Sequence, residues 1–296
     1  MKMVWLFPGQ GSQRPGMGTS WYGVPESRGW LEQAASRLEN IPLRHLLCDA
    51  DETALQDTNN AQPAMYAIGL AVARYLRALG AEPAAVAGHS LGEITALAAC
   101  GALDPEWGLY FVRERARLMS QAPEGGMAAV LGLSAEAIEE ALSAEVNVAN
   151  FNGPAQTVIS GTIAGLAAAE EALKRAGAKR VIPLRVSGPF HSPLMRPVAD
   201  ALARVLRDAP ITAPGCPFNS TVSAARETDP ERIRALLAEQ VCAPVRWTET
   251  ASLIGPVAAL KAGPGGVLQG LCRRIPGAPD VRPADTPEAC RSLATP

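Results

Sequence analysis

Cys-x-x-Cys pairs are missing from the sequence, and histidine is limited to His45, His89 and His191. The six cysteines (Cys48, Cys100, Cys216, Cys242, Cys272 and Cys290) are scattered along the chain. That spacing argues against a metal site or a disulfide framework and for reduced thiols in a cytoplasmic protein. No apolar run is long enough to span a bilayer, so no membrane role is expected. The opening stretch Met1 to Pro8 lacks the long apolar region of a signal peptide and runs straight into strand-like sequence. A net charge of −2 over 296 residues gives no support for nucleic-acid binding. No internal repeat is found. The proline-rich tail after Gly277 reads as loosely ordered. What is present is a chain about half apolar, at 48%, which suits a soluble globular protein of one large or two modest domains.

Strand-like and helix-like segments alternate. Val4 to Phe7 is an apolar strand. Ala61 to Leu79 reads as a helix, with Pro63 near its start, Gly80 just past its end, and Met65, Ile68, Val72, Leu76 and Leu79 at helical spacing. Asp104-Pro105 opens another helix, the aspartate as cap and the proline at the first helical position. This alternation predicts a parallel sheet with helices on both faces. From about Met127 to Leu184 the pattern changes to strand, helix, strand, strand, helix, strand, the order of a ferredoxin-like module. The expected architecture is therefore α/β. Residues 1–125 and 187–296 form the catalytic subdomain, and residues 126–186 form a small inserted ferredoxin-like one. The cleft between them is the expected site.

Gly88-His89-Ser90-Leu91-Gly92 follows the apolar run Ala84 to Ala87 and precedes a helix-like stretch from Glu93 to Cys100. A bare Gly-x-Ser-x-Gly arises by chance, but strand, motif and helix together are what a nucleophile elbow needs. The glycines let the backbone turn sharply, and the serine then sits where free helix N–H groups can stabilise an oxyanion. A serine nucleophile needs a base. His89 is adjacent to Ser90 on the elbow and points elsewhere, and His45 lies in an ordinary amphipathic segment. His191 lies in Ser187-Gly188-Pro189-Phe190-His191-Ser192-Pro193, a loop whose glycine and prolines fix the backbone. It is the candidate general base.

Arg115 is the third candidate. At about 100° per residue it is flanked by Phe111, Val112, Leu118 and Met119, in the middle of an apolar stripe, while Arg113 and Arg117 point the opposite way. A buried guanidinium is costly without a partner, so Arg115 is expected to meet a carboxylate. That carboxylate belongs either to the protein, as an internal salt bridge, or to a ligand held bidentately.

Together these residues resemble the malonyl-CoA:acyl-carrier-protein transacylase family, which includes stand-alone enzymes of bacterial fatty-acid synthesis and the acyltransferases of polyketide synthases. The resemblance runs from Phe7-Pro8-Gly9-Gln10-Gly11-Ser12-Gln13 to Gly263-Pro264-Gly265-Gly266. Between them lie Gln62-Pro63-Ala64, the elbow with Glu93, Arg115, Asn150-Phe151-Asn152 and Gly188-Pro189-Phe190-His191-Ser192. It implies an α/β-hydrolase-like large subdomain. It implies Ser90 as nucleophile, His191 as base, and backbone N–H groups of Gln10 and Leu91 as oxyanion hole. Arg115 would pair with the free carboxylate of a malonyl group, and the backbone carbonyl of Gln240 would orient the histidine. His89, Phe190, Gln62 and Asn152 would contribute to substrate binding. The implied partners are malonyl-CoA and an acyl carrier protein, engaged by a monomer, with the CoA thioester as substrate and no bound cofactor. No aspartate stands out as a third triad member, which agrees with a dyad plus a carbonyl.

Phe190 and Leu91 match the malonyl-preferring pattern, since a phenylalanine crowds an α-methyl branch. One departure is Lys261-Ala262, where the family carries an acidic-apolar pair, in a segment from Trp247 to Gly263 that is shorter than its norm. This alters either a pocket wall or only a surface loop. Competing readings are an acyltransferase for another extender unit, an acyl-thioester hydrolase, or a carrier-binding module with a decayed site. Arg115 argues against a hydrolase, and intact Gln10, Ser90, Arg115 and His191 argue against decay. For carrier docking, the candidate basic group is Lys174, Arg175, Lys179, Arg180 and Arg246.

Overall fold

The computed structural model describes residues 2–294. In chain order its strands are β1 (Lys2–Phe7), β2 (Glu82–Gly88), β3 (Gly126–Leu131), β4 (Val146–Gly153), β5 (Gln156–Gly161), β6 (Arg180–Pro183), β7 (Phe218–Ser220), β8 (Ala225–Glu227), β9 (Ala258–Ala262) and β10 (Asp280–Ala284). Six of them make one sheet in the order β10-β9-β1-β2-β7-β8, parallel except for the last pair.

β1 is buried from Met3 onward, as a central strand of a doubly covered parallel sheet should be. Its alternation assigns Met3, Trp5 and Phe7 to one core and Val4 and Leu6 to another. The first core takes the helices Thr58–Ala78, Leu91–Ala99 and Pro105–Ser120, and the second takes Trp247–Ile254 and Val267–Cys272. The helix read from Ala61 begins earlier, because the Asp57 carboxylate accepts from Asn59 N–H and caps it. Asp104 caps the next long helix as read, accepting from the N–H groups of Glu106 and Trp107.

The other four strands form a separate antiparallel sheet in the order β4-β5-β3-β6, with helices Ala135–Ala141 and Ile163–Arg175. This is the expected ferredoxin-like arrangement. Its β4 edge is paired to the larger unit: Phe151 N–H donates to Val245 O at 2.9 Å and Val245 N–H to Ala149 O at 2.8 Å. That pairing covers a sheet edge and ties the two layers together beside the cleft.

As far as Ala294, the tail is not loose. After Gly277 the chain adds β10 to the sheet beside β9 and continues as the helix Pro287–Ala294. The proline content of this segment is compatible with a strand because β10, which contains Pro283, lies at the sheet edge, where a missing N–H need cost no ladder bond. Lys261 on β9 is also accounted for. It is 1% exposed, and its ammonium donates to Gly263 O at 2.8 Å, also to Gly265 O, and lies 3.6 Å from Asp285 Oδ2. It braces the glycine-rich loop after β9 against the end of β10, and so belongs neither to a pocket wall nor to an exposed loop.

Candidate active site

β2 delivers its chain to an elbow in which Ser90 adopts φ 52° and ψ −114°, a strained conformation for a residue with a Cβ. Two glycines make the turn possible. A Cβ on Gly88 would lie 2.0 Å from the carbonyl carbon of Gly92, and one on Gly92 would lie 2.0 Å from Phe7 O. The elbow thus presses directly on β1. Ser90 caps the helix Leu91–Ala99, so the Leu91 N–H has no intrahelical carbonyl to bond.

The structure brings His191 to this serine across 101 positions of sequence, with Ser90 Oγ to His191 Nε2 at 2.9 Å. The imidazole Nδ1 donates to Gln240 O at 2.9 Å and to Ala243 O at 3.1 Å. Two carbonyls can only accept, so the proton is on Nδ1 and Nε2 is the acceptor facing the hydroxyl. Among the described residues no carboxylate takes part. Burial, with the nearby Arg115 charge and His89, pushes the His191 pKa down to about 3. The ring is therefore neutral near pH 7, as a general base must be. His191 also has positive φ, at 59°.

Arg115 is 2% exposed and reaches the same hydroxyl, with Nη2 to Ser90 Oγ at 3.2 Å. Nη1 donates to Gln62 Oε1 at 2.6 Å and Nη2 to Gln240 Oε1 at 3.0 Å. Nε has no hydrogen-bond partner among the described residues. The direct contacts are all to uncharged oxygens. The internal salt bridge weighed from the sequence is not formed, and the Glu93 carboxylate stands one residue away, behind Gln240. Burial lowers the Arg115 pKa to about 10, with Glu93 opposing the shift. Arg113 and Arg117 do point outward and pair with Glu114.

A cavity of about 240 Å³ opens onto this group. Gln10, His89, Ser90, Leu91, Arg115, Phe190 and His191 line it. Gln10 Oε1 accepts from the Thr58 hydroxyl at 3.0 Å, and Thr58 Oγ1 accepts from Gln62 Nε2 at 2.8 Å. Gln62 is fully buried and does not line the cavity itself; it backs three residues that do, Arg115 and Met119 directly and Gln10 through Thr58. Asn152 sits behind His89, whose Nε2 is 2.8 Å from Asn152 Oδ1. Asn150, two residues earlier, lines the cavity instead. His45 is remote and exposed, on the short helix Leu43–Cys48.

Sequence reasoning did not single out Arg185, exposed at the cavity mouth, and gave no role to Glu93, buried beneath it. A signal for Glu93 was available. The stretch Leu91 to Ala99 is apolar on nearly every side, which marks a helix buried all round, and a carboxylate there needs partners. For Arg185 no signal existed, because cleft walls form only when the subdomains meet.

This arrangement supplies an activated hydroxyl, a neutral base, N–H donors at a helix start, and a cation within reach of an acyl substituent. It suits acyl transfer through an ester intermediate. Residues 4–268 match the acyl transferase domain family. The malonyl CoA-acyl carrier protein transacylase of Bacillus subtilis is 42% identical over 287 residues, covering 93% of this chain and 90% of that protein. The crystal structure of an acyl-carrier-protein S-malonyltransferase from Burkholderia pseudomallei superposes with a TM-score of 0.93 at 38% identity, covering 99% of both chains. A malonyl-transacylase in complex with its type II PKS acyl-carrier protein gives a TM-score of 0.93 at 35% identity, again over 99% of each chain. A match that takes in the elbow, the arginine and the histidine, over nearly the whole chain, means that this protein belongs to the acyl transferase domain family.

Proposed function

We propose that this protein moves a malonyl group from CoA to the phosphopantetheine thiol of an acyl carrier protein, in two half-reactions through an acyl-Ser90 intermediate. The observation that carries this reading is the single hydroxyl shared by a base and a cation: Ser90 Oγ lies 2.9 Å from His191 Nε2 and 3.2 Å from Arg115 Nη2.

His191 takes the hydroxyl proton as Oγ attacks the thioester carbonyl. The Oγ–carbon bond forms, the carbon–sulfur bond breaks, and His191 returns the proton to the CoA thiolate. The carrier thiol then repeats the sequence in reverse, giving ping-pong kinetics. The Leu91 and Gln10 N–H groups are the proposed donors to the tetrahedral oxyanion. The free carboxylate of the malonyl group is a stronger acceptor than the neutral oxygens that Arg115 holds, and it matches the planar fork. Phe190 and Met119 line the same cavity and crowd branched acyl groups. The chemistry is divided between a catalytic unit of residues 1–125 and 187–296 and a covering unit of residues 126–186. We take the working form as a monomer in the cytoplasm; no described helix is long and apolar enough to cross a membrane.

Intact mass after incubation with malonyl-CoA tests the reading. A malonyl adduct is expected on Ser90, discharged by a carrier protein bearing phosphopantetheine and lost in Ser90→Ala. Steady release of malonate without transfer would assign a hydrolase. An adduct that persists in Ser90→Ala would remove the proposed nucleophile.

A further inference from the structure

The helix behind the nucleophile carries one buried acid, Glu93, 1% exposed. Both its oxygens are engaged by N–H donors: Oε1 by the backbone N–H of Thr221 and Oε2 by the side-chain amide of Gln240. Gln240 Nε2 also donates to Ser90 O at 3.0 Å. Its other end, Oε1, accepts from Arg115 Nη2 at 3.0 Å, and its backbone carbonyl accepts from His191 Nδ1 at 2.9 Å. One glutamine therefore touches the nucleophile's backbone, the base and the cation, and Glu93 holds it.

We infer that Glu93 is a positioning residue for acyl selection: by fixing the Gln240 amide it aims Arg115 at the carboxylate of the acyl group and supplies that arginine's counter-charge from one residue away. The inference rests on Arg115 acting as the carboxylate partner. A side-chain amide can be placed in two orientations, and only one is compatible with these neighbours. A guanidinium only donates, so it requires the amide oxygen. An ionised carboxylate only accepts, so it requires the amide NH₂. Glu93 and Arg115 thus select the same orientation from opposite sides. The distance of the counter-charge matters as much. A carboxylate bonded directly to Arg115 would occupy the fork that the substrate needs. A site with no carboxylate at all would leave a buried cation uncompensated. Placing Glu93 behind a neutral amide avoids both.

Glu93→Gln keeps the size and removes the charge. Its amide offers one acceptor oxygen where Thr221 N–H and Gln240 NH₂ need two. Gln240 is then driven to turn its NH₂ toward Arg115, which displaces the guanidinium. Acylation of Ser90 by malonyl-CoA and by acetyl-CoA is followed by rapid quench and intact mass, and the ratio of the two kcat/KM values is the readout. Glu93→Gln is expected to lower the malonyl-to-acetyl ratio by at least about tenfold, the scale of losing a hydrogen bond to a charged group. Gln240→Met, which retains the backbone carbonyl but not the amide, is expected to lower it similarly. In an Arg115→Ala background, Glu93→Gln should change the ratio by less than about twofold, because the pathway is already cut. An equal loss on both substrates, or a ratio shift that persists without Arg115, overturns the inference and makes Glu93 a structural residue. Should Glu93→Gln not fold, an unchanged ratio in Gln240→Met has the same force. Arg115→Ala alone separates the two readings: if it leaves the ratio unchanged, the assignment of Arg115 itself fails, and the role of Glu93 with it.

Discussion

His191 is held neutral by its surroundings, and that has a kinetic consequence. Its pKa of about 3, against 6.5 for an exposed histidine, comes first from burial and then from the Arg115 charge. The base form therefore persists as pH falls through 6.5 and is lost only near 3. Acylation of Ser90 by malonyl-CoA should fall by less than about twofold between pH 7.5 and 5.5, whereas a base titrating at 6.5 would lose about tenfold. A rapid-quench pH profile decides between them, and a tenfold fall would mean that the imidazole is solvated in solution. A malonyl carboxylate on Arg115 would neutralise one of the charges that depress the histidine, so the correct substrate would also strengthen the base. At this scale Ser90, His191 and Arg115 were legible because each stands out against its local pattern. Asn150 was not, since nothing in Asn150-Phe151-Asn152 says which asparagine faces the cleft. The strand irregularity between Val148 and Asn150 bears on that, because a bulge changes which side chains share a face.

The elbow is an element whose geometry depends on an absent methyl group. Gly92→Ala would place Cβ 2.0 Å from Phe7 O, on the central strand, with no flexible side chain to yield. It should cost at least about 3 kcal/mol in denaturant unfolding and lower acylation by more than about a hundredfold, since the serine moves with the turn. Gly29→Ala is the control. Gly29 is exposed in the helix Pro25–Arg37 with nothing within 4 Å of an added Cβ, and the change should raise stability by about 0.5–1 kcal/mol. Equal behaviour of the two variants would show that the close approach at Gly92 is relaxed in solution. Elements with a clear period or a capping signal were readable within a few residues, the ferredoxin-like unit above all. The tail was not, because proline content measures what a segment cannot do in a sheet interior and says nothing about an edge.

Across the whole molecule the charge is nearly balanced, so any steering of an acidic carrier depends on where positive charge collects. Within the candidate group, Lys174 is paired with Glu170 and Glu171, and Arg246 with Glu249. Arg175, Lys179 and Arg180 are exposed, and β6 leads from Arg180 to Leu184 and Arg185 at the cavity mouth. The double reversal Lys179→Glu with Arg180→Glu should raise the KM for carrier protein about tenfold at low ionic strength. The effect should shrink at 0.5 M salt, where exposed charges are screened within a few ångströms. Unchanged transfer kinetics at low salt would place the docking surface elsewhere.

The sequence by itself determined the local chemistry: a serine on a strand-to-helix turn, an arginine on an apolar stripe, a histidine in a rigid loop, and two kinds of αβ periodicity. These are short-range properties, set by backbone sterics and by which face of an element is apolar. The tertiary structure alone decided the distances. Ser90, Arg115, His191 and Gln240 meet only because parallel strands and an inserted sheet bring remote segments to one cleft. Hydrogen-bond direction among buried groups is a property of that full set of neighbours. For this reason the turn of the Gln240 amide, and Glu93 behind it, could be read only after the chain had folded.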